Sequence, residues 1–193
     1  MKQKKQYVTG MAGYHKDQEN NTMEINQQKI TRLSSETILA ETDFKKRAGM
    51  MQYFAQQCRI DMLDMLYKRQ NGHWGGSASS AELLTALYYE MMNIDPANAD
   101  WEDRDRLVLS KGHAAPMLYI ILANRGYFPQ ELLKSFRELN SILQGHPCRN
   151  KTPGVEMSTG ALGHGISTAT GMALAARCLK KNYRTFVIIG DGC

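Results

Sequence analysis

Two short apolar runs, each closed by a glycine-bearing polar turn, constrain this chain more than any other feature. Arg106–Ser110 (RLVLS) runs into Lys111-Gly112-His113, and Thr185–Ile189 (TFVII) runs into Gly190-Asp191-Gly192. Helical patterns separate the runs. Strands separated by helices predict an α/β fold with a parallel sheet covered on both faces. In such sheets ligands bind beyond the carboxyl ends of the strands. His113 and Asp191 each follow a strand, so they are expected at one sheet edge, with the glycine loop Gly160–Gly165 beside them.

Ala48, Met51, Ala55, Cys58, Met62 and Leu66 recur at helical spacing and predict a long amphipathic helix over about 43–69. The glycines of Gln70–Ser77 break it. Ser79-Ser80-Ala81-Glu82 has the capping-box pattern and opens a helix through about Met92. Further helices are expected over about 114–125, from Pro129 to about Leu139, and over about 166–181. The final strand is apolar throughout, as in a strand buried on both faces. Leu143–Gly165 reads as a long glycine-bearing loop, of a length that in a compact domain is functional or disordered. Residues 1–42 are polar and without periodicity, and read as a poorly ordered extension, with one weak helix at most, preceding one domain over 43–193.

Several function classes are excluded. The longest apolar stretch, Met117–Ala123, is too short to span a bilayer, and the basic N-terminus has no apolar segment behind it. Four widely spaced cysteines without a CxxC pair argue against a zinc ribbon and for a reducing, cytoplasmic setting. The net charge of +5 is not gathered into a basic stripe with aromatics, which argues against nucleic acid.

The chemistry-bearing residues cluster at glycines. On its own, Gly190-Asp191-Gly192 is first a plain turn. At a strand end its carboxylate can also hold a Mg²⁺ that bridges phosphate oxygens. Gly160-Ala161-Leu162-Gly163-His164-Gly165 precedes a helix whose N-terminus suits an anion, yet it fits neither GxGxxG nor the P-loop, and alone it reads equally as a tight loop packing on the sheet. His73, His113 and His146 each follow a glycine, where imidazoles can bond a ligand or move protons near neutral pH. No HExxH or close histidine pair supports a zinc triad.

Taken together, NGHWGGSASSAELLTALYY, RLVLSKGHAAPMLYIILANRGYF, LQGHP, TPGVEMSTGALGHGISTATGMALAAR and VIIGDGC resemble transketolase over about Phe44–Cys193. In detail they resemble the N-terminal half of the split form, whose two halves are separate chains. The resemblance implies a thiamine diphosphate-binding fold, incomplete here, in an enzyme that passes a two-carbon ketol unit between sugar phosphates. It implies that Asp191 ligates Mg²⁺, or another divalent cation such as Ca²⁺ or Mn²⁺, and that Gly190 and Gly192 approach the diphosphate. It implies that Gly160 and Leu162 meet the cofactor rings, and that His113 lies near the diphosphate and reacting centre. His73 and His146 match histidines that contact sugar hydroxyls and assist proton transfer. A C-terminal subunit or pyrimidine-binding domain is the implied partner, in a homodimer or heterotetramer.

The chain is expected to be a fragment, inactive and marginally folded alone, because it ends one residue after the Gly-Asp-Gly motif. Trp74, where many members have Pro, and His164, where Gln is usual, depart from the pattern near the expected site. Alternative readings are another thiamine diphosphate enzyme, such as a deoxyxylulose-phosphate synthase, or a non-catalytic product that only pairs with a partner subunit.

Overall fold

The computed structural model describes residues 32–193, so most of the expected polar extension lies outside the described residues. Ser35–Ala40 forms helix α1, capped by the Ser34 hydroxyl, which accepts from the Thr37 N–H at 3.2 Å, and Ile38 is fully buried.

Helix α2 (Phe44–Arg69) matches the predicted amphipathic helix. Asp43 caps it by accepting from the Lys46 N–H at 2.8 Å, which satisfies one of the orphan donors of the first turn. Lys68 and Arg69 sit in its last turn, favourable to the helix dipole. Ala55, Cys58, Met62 and Leu66 line its buried face, joined by Phe54 and Met65. The break comes at Gln70 and Gly72, both at positive φ, and not along the whole glycine segment: Trp74–Ala78 closes a short helix, α3.

Helix α4 (Ala81–Ala86) follows, and its C-terminal continuation Leu87–Met91 widens into a π-turn. The expected capping box does not form. The Ser79 and Ser80 hydroxyls both donate to Gly76 O, and Glu82 pairs with Arg59 of α2. A bidentate partner on another helix competes better for that carboxylate than a lone backbone N–H.

Strand β1 (Arg106–Leu109) and strand β2 (Thr185–Ile188) pair in parallel, with Val108 opposite Val187. Between them run helix α5 (Ala115–Arg125), buried on almost every side, and helix α6 (His164–Cys178). The predicted helix after Pro129 is a six-residue 3₁₀ turn, Gln130–Ser135. Helix α6 starts and ends two to three residues earlier than its periodicity suggested. The core gathers α2, α4, α5 and the Leu107, Leu109 and Ile188 face of the sheet. β1 is buried, whereas Val187 of β2 is 38% exposed, so the final strand is less covered than its apolar run predicts.

Two charge clusters fix the sheet's approach segments. Arg104 holds Glu156 with two hydrogen bonds of 2.7 and 2.6 Å, both side chains under one-tenth exposed. Asp105, ahead of β1, accepts from the Arg184 N–H at 2.6 Å and the Asn93 N–H at 2.9 Å. Arg184 adds its guanidinium at 2.6 Å. Burial pushes the Asp105 carboxyl up, but these hydrogen bonds outweigh it and hold it below the usual carboxylate range.

Candidate functional site

The carboxyl ends of β1 and β2 open onto a cleft of about 430 Å³. β1 delivers Lys111 and His113 to it through a 3₁₀ turn, Gly112–Ala114. β2 delivers Gly190, Asp191 and Gly192. Leu162 reaches in from the glycine loop, and Gly75, Gly76 and Ser79 close the side belonging to α3. A larger hollow of about 760 Å³ lies between α1, α2 and α5, but it holds none of the glycine–histidine motifs.

Close backbone crossings set the floor. A Cβ on Gly112 would lie 2.8 Å from the Thr159 carbonyl carbon and oxygen, and 2.9 Å from Gly160 N. The Thr159 hydroxyl donates to Leu109 O at 2.7 Å, so the glycine loop is pinned to the end of β1. Gly163, at φ 81°, then turns the chain into α6.

The three histidines gather around His113. The His73 and His113 rings meet edge to face at 5.4 Å between centroids. His146 packs beside Gly160, whose Cβ would lie 3.6 Å from the imidazole. The LQGHP turn is fixed from below by the buried Tyr119 of α5, whose hydroxyl lies 2.9 Å from Gln144 O and 3.1 Å from His146 O. Burial, with His73, Lys111 and His146 as further causes, holds the His113 imidazole below its ordinary range. At neutral pH it is therefore uncharged and able to hold or accept a proton. His73 and His146 lie outside the cleft lining, exposed at its rim, and His164 opens α6 with its side chain in solvent.

Lys111 escaped sequence reasoning as a site residue. It is 7% exposed, and its ammonium donates to Gly76 O at 2.9 Å and Ser79 Oγ at 3.1 Å. Among the described residues no carboxylate pairs with it. Burial pushes the Lys111 ammonium down from its usual range, Cys193 and Asp191 oppose this without forming an ion pair, and the cleft wall thus offers a cation to an anionic ligand. Its signal was its place, two residues after an apolar strand and directly before Gly-His.

These donors fit a diphosphate. Glycine backbone lines both sides of the cleft, with one buried ammonium and one carboxylate. A divalent cation fits less completely. Asp191 is the one carboxylate lining the cleft, and among the described residues no three His, Cys, Asp or Glu side chains could hold a metal.

Residues 50–193 match the family described as transketolase, thiamine diphosphate binding domain. A 6-deoxy-6-sulfo-D-fructose transketolase subunit from a Clostridium species is 46% identical over 142 residues, 74% of this chain and 52% of that protein. An apulose-4-phosphate transketolase subunit from Phocaeicola vulgatus is 42% identical over 138 residues, 72% of this chain and 49% of its own length. The chain thus spans about half the length of these curated relatives. Transketolase from Leishmania mexicana superposes with a TM-score of 0.70 at 33% identity, over 84% of this chain and 24% of that one.

Proposed function

The chain belongs to the transketolase family, and on that footing we propose that residues 43–193 form the diphosphate-binding part of a ketol-transferring enzyme. The observation that carries this reading is the cleft at the strand ends, where the buried Lys111, the Gly190-Asp191-Gly192 turn and His113 converge. When bound, thiamine diphosphate supplies the nucleophile that takes up the two-carbon ketol unit.

The chain's own residues bind and orient. Gly190 and Gly192 let backbone approach the diphosphate, and Lys111 balances its charge. Asp191 gives a divalent cation, Mg²⁺ or its Ca²⁺ or Mn²⁺ substitute, one oxygen ligand. The rest of that cation's shell would have to come from groups other than these residues. Gly160 and Leu162 seat the rings. His113, uncharged at neutral pH, holds or moves a proton at the reacting centre. His73 and His146 at the rim bond the sugar hydroxyls.

The substrates are sugar phosphates or similar anionic sugars. A complementary subunit or pyrimidine-binding domain completes the site in a homodimer or heterotetramer, and these residues alone do not turn over. The setting is cytoplasmic, in keeping with four unpaired cysteines. Among the described residues no helix is long and apolar enough to cross a membrane.

The test is a fluorescence titration of the assembled enzyme with thiamine diphosphate, with and without Mg²⁺, alongside a ketol-transfer assay. Wild type is expected to bind and turn over. Asp191→Asn is expected to lose at least tenfold in Mg²⁺-dependent cofactor affinity, with little change in melting temperature. Unchanged affinity in Asp191→Asn returns that residue to a plain turn. Absence of cofactor binding in wild type overturns the proposal.

A further inference from the structure

Phe136 and Arg137 lie between the two histidine turns at the cleft rim. Arg137 has φ 59°, in the left-handed region, where a residue with a Cβ is strained. Such strain persists only where the surroundings hold it, and it points to a task for the side chain. The Arg137 N–H donates to Leu143 O at 2.9 Å, which folds the segment back toward the LQGHP turn. The guanidinium lies 5.7 Å above the Phe136 ring, and its Nη1 donates to the Asn71 side-chain carbonyl. Its other edge lies flat against Gly145: a Cβ there would sit 2.6 Å from both Nε and Nη2. Phe136 reaches the same neighbourhood, 3.3 Å from where a Gly72 Cβ would be.

One planar group therefore touches the residue two before His73 and the residue immediately before His146. Among the described residues no ion pair involves Arg137, so its role is not the usual one of answering a surface carboxylate. Tyr119 already ties the His146 turn to α5, and α5 follows directly on His113. The His73 turn reaches that assembly on its outer side through Arg137.

We propose that Arg137 is a positioning residue that sets the spacing between the His73 and His146 turns, and so the arrangement of imidazoles offered to the sugar. The inference rests on the ketol-transfer reading above. Arg137 itself touches neither cofactor nor sugar. Its planar fork serves because it presents one edge to Asn71 and the other to Gly145, which a lysine cannot do.

The experiment uses the assembled enzyme with Arg137→Ala, Arg137→Lys, Asn71→Ala and the Asn71→Ala/Arg137→Ala double variant. It reads kcat and KM for the donor ketose, the thiamine diphosphate dissociation constant, and melting temperature. Arg137→Ala is expected to lower kcat/KM for the sugar by about tenfold or more, since misplacing a contact by about 1 Å costs up to about a hundredfold. Cofactor affinity stays within about twofold of wild type. Arg137→Lys recovers little, and the double variant is no worse than Arg137→Ala, because the two residues act through one contact. Should Arg137→Ala fail to fold, Arg137→Lys and Asn71→Ala carry the same comparison.

Three results overturn the proposal: sugar kinetics in Arg137→Ala equal to wild type, additive losses in the double variant, or cofactor affinity falling in step with turnover. A wild type that binds no cofactor and transfers no ketol unit overturns the function as well. Normal wild-type behaviour with an unaffected Arg137→Ala overturns only the positioning role.

Discussion

Adding one methyl group at Gly112 tests the construction of the site more directly than any change to a charged residue. The new Cβ would lie 2.8 Å from the Thr159 carbonyl. Carbon atoms in ordinary contact lie at least about 3.5 Å apart, so the glycine loop must retreat by about 0.7 Å or the β1 turn must open. Both partners are backbone, and neither can rotate away. Overpacking of this kind costs about 1–3 kcal/mol. Retreat also strains the hydrogen bond of 2.7 Å from the Thr159 hydroxyl to Leu109 O, with a net worth of about 1 kcal/mol. Gly112→Ala is therefore expected to lose about 2–4 kcal/mol by urea denaturation. Cofactor affinity should fall as well, because Gly160 and Leu162 move with the loop. Thr159→Val removes the hydrogen bond without the clash and should lose only about 1 kcal/mol. Wild-type stability and affinity in Gly112→Ala would refute the crossing as described. So would equal losses in the two variants.

Glu156→Ala leaves the Arg104 guanidinium buried and unpaired, and should destabilise by about 3–5 kcal/mol in the same denaturation assay; a loss under about 1 kcal/mol contradicts the buried pair. Asp105 has a folded pKa below its unfolded value, so its contribution is full above the ordinary carboxylate pKa of about 4 and is lost as pH falls through the folded value. Melting temperature should drop below about pH 4, and Asp105→Asn, less stable at pH 7, should show a smaller drop across that interval.

The sheet and the long helices were legible because their signals are local and repeated. RLVLS and TFVII read as strands from apolar run length, and α2 from six residues on one face. The misreadings fall where a distant residue decides. Glu82 has the capping-box spacing, yet Arg59 on another helix takes it. Pro129 marks a helix start, but the segment closes only as a 3₁₀ turn, because Phe136 (ψ 124°) and Arg137 (φ 59°) leave the right-handed helical region. Of the three glycine–histidine motifs, each a local pattern, Gly112-His113 lines the cleft and the other two stand at its rim. Lys111 and Arg137 were not visible as functional residues. Nothing in the sequence says that one lysine is buried without a carboxylate, or that one arginine has two loops to bridge.

The parallel pairing of β1 with β2 has a kinetic consequence. Arg184 at the head of one strand bonds Asp105 ahead of the other across 79 residues of chain. Closing so long a loop precedes any reward from the contacts it makes, and pairings of this kind form slowly. Lys111 and His113 lie on one side of that closure, and Asp191 on the other. The cleft therefore comes into being with the slow step and cannot precede it. A ligand that spans both strand ends binds only the closed state, and its free concentration sets how much of the chain remains closed. Through that coupling, supply of such a ligand would set the fraction of molecules open to proteolysis at equilibrium, while leaving the slow closure itself unchanged.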